Sequence, residues 1–229
     1  MKKRTYFTTA FTDFFKELEE NNHKEWFDEN RKRYHAHVKE PFDDFIKDLL
    51  VEVGKIDPAI NVPYNKCIFR INRDVRFSKD KTLYKTNRSA FISRFGTKNK
   101  SFPGMYFEIN KNELRIYGGV YMLDAKQVYR IREEIQDYNK DFRKVITEKR
   151  FNSTFGEVQG EKAKRLNKEF QQFAASEDLM FNKNWYVYAS LPLNTIYQED
   201  LLNVMMDHYQ VLEPFNKFFE RPLLDMLNQ

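Results

Sequence analysis

The stretch GMYFEINKNELRIYGG, residues 104–119, decides the fold class. Met105, Phe107 and Ile109 alternate with Tyr106 and Glu108. After a polar turn at 110–113, Leu114 and Ile116 alternate with Arg115 and Tyr117. A period of two on both sides of a short turn is the pattern of an antiparallel β-hairpin, one face apolar and one polar. SAFISRF (89–95) and NWYVYASLP (184–192) are further strand candidates, and Cys67, Phe69 and Ile71 against Ile68 and Arg70 suggest another.

Helical spacing flanks these strands. Phe11, Phe14, Phe15 and Leu18 form one stripe that stops at Asn21, expected in the left-handed position that ends a helix. Asn22 is expected to cap the next helix in a capping box with Glu25, with Trp26, Phe27, Tyr34 and Val38 turned to the core. In a third helix Pro41 suits the first turn, Phe42, Phe45, Ile46, Leu49, Leu50 and Val53 form a stripe, and Gly54 ends it. Helices return at 124–138 and 140–149, and again after Gln198, where Leu201, Leu202, Met205, Tyr209 and Leu212 recur. The expectation is an α+β fold, a mainly antiparallel sheet packed against N-terminal and C-terminal helices. Without a repeat, linker or low-complexity tract, residues 1–229 read as a single domain.

The 229 residues are 41% hydrophobic and 16% aromatic, enough for a substantial core. No run approaches the roughly 18 apolar residues of a membrane span, and Met1-Lys2-Lys3-Arg4 leads into polar Thr5 rather than a signal-peptide core. A cytoplasmic protein with no membrane partner is expected. Cys67 is the one cysteine, which excludes an internal disulfide framework and a thiolate zinc site.

Charge is concentrated rather than spread. The chain carries a net +5, and residues 70–88 hold seven bases against two acids, so the remainder is balanced. The stretch IFRINRDVRFSKDKTLYKTNR (68–88) reads as an ordered loop leaving a strand. Arg70, Arg73 and Arg76 offer planar forks that match phosphate or carboxylate in paired hydrogen bonds, while Lys79, Lys81 and Lys85 add mobile charges. Ser78, Thr82 and Tyr84 add hydroxyl donors. Asp74 and Asp80 would orient the guanidinium groups, or one would serve as a general base. A compact cluster of this kind suits a small anionic ligand. Three alternatives share the residues: a structural ion network, a protein-interaction surface for an acidic partner, and a nucleic-acid-binding module in which Phe69, Phe77, Tyr84, Phe91 and Phe95 stack on unpaired bases. If the apolar strand faces rest on helices, the opposite faces present Arg70, Arg94, Glu108, Arg115, Tyr117, Tyr186 and Tyr188, as the floor of a pocket or as a solvated surface.

Other motifs carry less. The Arg-Asp pair in INRDVRFSKD lacks the glycine-rich loop and Asp-Phe-Gly of a kinase. His35 and His37 fall on different helix faces, far in sequence from His23 and His208, so no metal site is expected. Asp124-Ala125-Lys126 reads as a helix start rather than a nuclease fragment, and Gly118-Gly119 as a close backbone approach rather than a phosphate cradle. No catalytic residue or cofactor is assigned.

NNHKEWF with the following Arg and Tyr (21–34), FRINRDVRFSKDKTLYKTN (69–87) and GGVYM (118–122) resemble the signature blocks of the conserved family catalogued as domain of unknown function 2461. The resemblance covers most of the chain and centres on RDVRFSKDK, residues 73–81. It implies no activity that can be carried over. Two departures stand out: Leu83 replaces a proline before Tyr-Lys, which implies a looser loop, and KAKRLNKEF (162–170) replaces a Lys-Arg-x-Pro segment, which removes the family's support for Lys164 and Arg165 as site residues.

Overall fold

The computed structural model describes residues 3–227. Its helices are α1 (Thr9–Glu20), α2 (Lys24–Glu29), α3 (Arg31–Tyr34), α4 (Glu40–Ile56), α5 (Tyr64–Cys67), α6 (Ala125–Asp137), α7 (Asn139–Ile146), α8 (Lys149–Phe155), α9 (Lys168–Ala174) and α10 (Leu201–Leu227). Strands β1 (Asn87–Ile92), β2 (Met105–Asn110), β3 (Glu113–Val120) and β4 (Trp185–Pro192) form one antiparallel sheet in the order β1-β2-β3-β4. The fold is α+β, with helices at both ends of the chain. Among the described residues no helix is long and apolar enough to cross a membrane.

The chain divides into two compact units. The first comprises the chain up to Thr97, Tyr106–Ile116 and Ser190–Asp207; the second comprises Lys98–Met105, Tyr117–Ala189 and the chain from His208. In the first, the apolar stripe of α1 is fully buried, and Phe7, Phe11, Phe42, Phe45 and Phe107 form an aromatic core. Phe107 comes from the apolar face of β2, so the strand alternation and the α4 stripe meet there. The β2–β3 turn is held by Asn110, whose Oδ1 accepts from the backbone N–H groups of Asn112 at 2.7 Å and Glu113 at 3.1 Å. In the second unit, Trp185 of β4 and Phe142 of α7 pack with Phe219 of α10, which runs through Pro214 and Pro222 without ending. Asp124 and Gln127 form a capping box at the start of α6, which gives that aspartate its role.

The structure revises several local expectations. Asn21 is not left-handed (φ −129°, ψ 44°); its side chain donates to the Glu17 carbonyl instead. His23, not Asn22, caps α2, accepting from the Trp26 N–H, and Asn22 is used elsewhere. Trp26 is half-buried against Phe14. Gly54 lies inside α4, which continues to Ile56, and α3 joins α4 through a π-helical turn at His35–Lys39. Residues 67–71 do not form a strand. Cys67 ends the short α5, and beyond it only isolated antiparallel bridges form, Ile68 with Ala90 and Asn72 with Tyr84. The segment's charges and turn-forming residues leave no continuous ladder to extend.

Candidate functional site

The basic segment lies wholly in the first unit and is ordered chiefly by neutral contacts. Asn22 Nδ2 donates to the Tyr84 carbonyl and Asn22 Oδ1 accepts from the Tyr84 N–H, both at 2.9 Å. The Tyr84 ring stacks on Phe27, centroids 4.1 Å apart and planes at 12°. On the other side, the N–H groups of Arg73 and Lys85 reach the carbonyls of Leu83 and Ile71 at 2.9 and 2.8 Å. The two signature stretches thus meet physically: the asparagine of the first fastens the tyrosine of the second.

Within this frame the segment's own acids take two of its arginines. Asp74 accepts from Arg76 Nε at 2.9 Å and Nη2 at 2.7 Å, a fork on a carboxylate, and this arginine holds Asp74 below the usual carboxylate range. Arg73 donates to Asp80 and to the Thr82 hydroxyl. Asp80 is lowered to about 2, first by the Thr82 backbone N–H and then by the Arg73 guanidinium. Lys81 Nζ reaches the Val75 carbonyl at 3.0 Å, and Lys85 Nζ sits 5.2 Å from the centre of the Phe69 ring. Arg70 and Lys79 are exposed, and Ser78 is half-buried. Among the described residues, Arg70, Lys79 and Lys81 form no ion pair.

Two residues differ from their sequence-level roles. Tyr84 is buried by its stack on Phe27, so it serves as an anchor of the segment. Arg88, counted with the basic cluster, points into the first unit's core: it donates to the Phe69 carbonyl at 2.9 Å, covers the Phe42 ring at 5.1 Å and lies 4.0 Å from Asp43. Burial pulls it below the usual arginine range. It stands in β1, whose residues 88–92 are buried on both faces, so no alternation in the sequence separates it from the cluster.

Of the residues expected on the polar strand face, Arg70 and Arg94 lie outside the strands, while Tyr106, Glu108 and Arg115 lie on strands of the first unit and Tyr117, Tyr186 and Tyr188 on strands of the second. Tyr106, Glu108, Arg115, Tyr117 and Tyr186 are half-buried and Tyr188 is exposed. Arg115 pairs with Glu113 at 2.5 Å, and the rings of Tyr117 and Tyr188 lie 5.6 Å apart. Among the described residues no three His, Cys, Asp or Glu side chains are grouped to hold a metal ion.

Together these features define an α+β protein whose first unit carries an ordered, charge-dense segment. The family model described as "Conserved hypothetical protein (DUF2461)" matches residues 10–218, and the chain belongs to that family. No curated protein and no solved structure matches it.

Proposed function

We propose that residues 70–85 bind a small anionic ligand bearing phosphate or carboxylate, in the cytoplasm. One observation carries the reading. The segment is held in place by Asn22, Phe27 and backbone bonds, and its two acids pair with Arg73 and Arg76, so among the described residues Lys79 and Lys81 pair with no carboxylate and Arg70 acts on Asp74 only as a weaker neighbouring charge. A purely structural ion network would consume those charges. Arg76, its fork oriented by Asp74 yet with a side chain 77% exposed, adds a directed donor set. The cytoplasmic setting is supported by the single cysteine, which is buried.

The test is thermal denaturation with phosphate, pyrophosphate, nucleotides and dicarboxylates, run on wild type and on the Arg70→Ala/Lys79→Ala/Lys81→Ala variant. A ligand at about 100 times its Kd adds roughly 2.7 kcal/mol. The expected result is a shift in wild type that the variant loses while keeping its own midpoint. If no anion shifts wild type, or the variant shifts equally, the reading fails.

Phe77 favours a second reading. It is 95% exposed and lies 5.8 Å from the Arg76 guanidinium, an arrangement suited to stacking an unpaired base. Of the other aromatics considered for stacking, Tyr84 and Phe91 are buried. Binding to a single-stranded oligonucleotide should weaken steeply with salt, and a flat response would remove this reading.

A further inference from the structure

The polar face of the first unit's strands carries an arrangement that a bare anion does not use. Glu108 Oε2 accepts from the Tyr106 hydroxyl at 2.8 Å and from Asn87 Nδ2 at 3.2 Å, so both donors fall on one oxygen. The other oxygen, Oε1, receives no hydrogen bond from any described residue. On the amide that bonds this carboxylate, Asn87 Oδ1 is sealed from solvent and also has no donor among the described residues. Turning the amide over would set Oδ1 against the carboxylate, acceptor to acceptor, so its orientation follows from its neighbour. A buried acceptor such as Asn87 Oδ1 is met by ordered water or by a ligand, and Oε1 of the half-buried Glu108 is left open to one.

The surroundings favour a ligand that extends from the basic segment. Lys85 is two residues from Asn87, and its ammonium lies 5.2 Å from the centre of the Phe69 ring. That ring is 5.8 Å from the Tyr106 ring, whose hydroxyl bonds Glu108. An unbroken chain of contacts therefore links a cation of the segment to the acceptor pair, all within one unit. Phosphate offers few donors to such a pair, whereas neighbouring hydroxyl groups supply one donor to each oxygen. Aromatic rings alongside match the apolar C–H face of a sugar.

We propose that Asn87 and Glu108 hold hydroxyl groups of the ligand whose anionic group rests on the basic segment, making that ligand a phosphorylated polyol of the sugar phosphate type. This rests on the anion-binding reading above and names the substrate class for the same site.

The test is titration calorimetry of the full chain with inorganic phosphate, butyl phosphate and ribose 5-phosphate, using wild type, Glu108→Gln and Asn87→Ser. Wild type should bind ribose 5-phosphate roughly tenfold or more tightly than butyl phosphate, the scale of one hydrogen bond to a charged group. In both variants that preference should shrink while butyl phosphate affinity is kept. Equal affinity for the two organic phosphates in wild type overturns the proposal alone, as does a preference that survives in both variants. Failure of all three compounds to bind overturns the anion reading and this proposal with it.

Discussion

Asn22 satisfies both backbone hydrogen-bonding groups of Tyr84 with a single side-chain amide, 2.9 Å in each direction and 62 residues apart in the chain. The clamp joins the α1–α2 junction to the basic segment. Asn22→Ala leaves a half-buried N–H and carbonyl without their partner and should cost about 1–3 kcal/mol in urea denaturation. Hydrogen exchange at the Tyr84 amide should accelerate in step. An unchanged midpoint and unchanged exchange would show that the contact does not hold the segment.

Asp80 gives the segment a signature in acid. Its carboxyl is held at about 2 by the Thr82 N–H first and the Arg73 guanidinium second, against about 3.9 for an unfolded aspartate. The folded state therefore favours the ionised form. Its contribution is complete above the unfolded value and is lost as pH falls from about 4 through about 2. An NMR titration of Asp80 should show a midpoint near 2. Arg73→Ala should raise it only part of the way, because the amide remains, and added salt should act on the arginine's share. A wild-type midpoint near 4 would contradict this geometry.

The sequence was legible where one periodicity governed the chain. The 104–119 alternation became β2 and β3, and the stripes of Phe11 to Leu18 and Phe42 to Val53 became buried faces of α1 and α4, because burial selects the same spacing that it leaves in the sequence. It was less legible where one residue type serves several ends. Asn22 satisfies every local rule for a helix cap, yet its amide is used by a residue 62 positions away, which no local rule contains. Arg88 reads as one more cation of a cluster, and only its place in β1, a strand buried on both faces, separates it from the others. The isolated bridges at Ile68 and Asn72 are made with Ala90 and Tyr84, further along the chain, so alternation over five residues was too weak a guide.

Gly119 and Gly54 should respond in opposite directions. Gly119 has φ +102°, and a Cβ there would stand 2.1 Å from the Trp185 carbonyl oxygen of β4. Gly119→Ala should lose about 3 kcal/mol or more. Gly54 sits inside α4 with nothing within 4 Å of an added Cβ, so Gly54→Ala should gain up to about 1 kcal/mol. Paired thermal melts decide the matter: an unchanged midpoint for Gly119→Ala would refute the first placement, and a lowered midpoint for Gly54→Ala the second.

In the second unit, the buried Glu177 accepts from Arg143 through two nitrogens, each at 2.6 Å, and from Asn139 at 2.8 Å. Arg143→Ala strands a buried carboxylate and should cost roughly 3 kcal/mol. Adding Glu177→Gln should recover part of that loss. A double variant less stable than Arg143→Ala alone would mean that the charge itself is not what the arginine compensates.

The π turn at His35–Lys39 makes chain length a structural variable in this region. Tyr34, Val38 and Phe42 are all buried and follow one another at intervals of four. In an uninterrupted α-helix each such step overshoots a full turn by about 40°, leaving Phe42 about 80° out of line with Tyr34. The wider turn absorbs that drift like a leap day in a calendar. Deleting one of residues 35–39 would leave seven α-helical steps, about 700°, between Tyr34 and Phe42, within about 20° of two full turns, so the π turn would become α-helical with Phe42, Phe45 and Leu49 still facing the core. A substitution or a single deletion there is a local matter, whereas an added residue would turn the whole of α4 by about 100°.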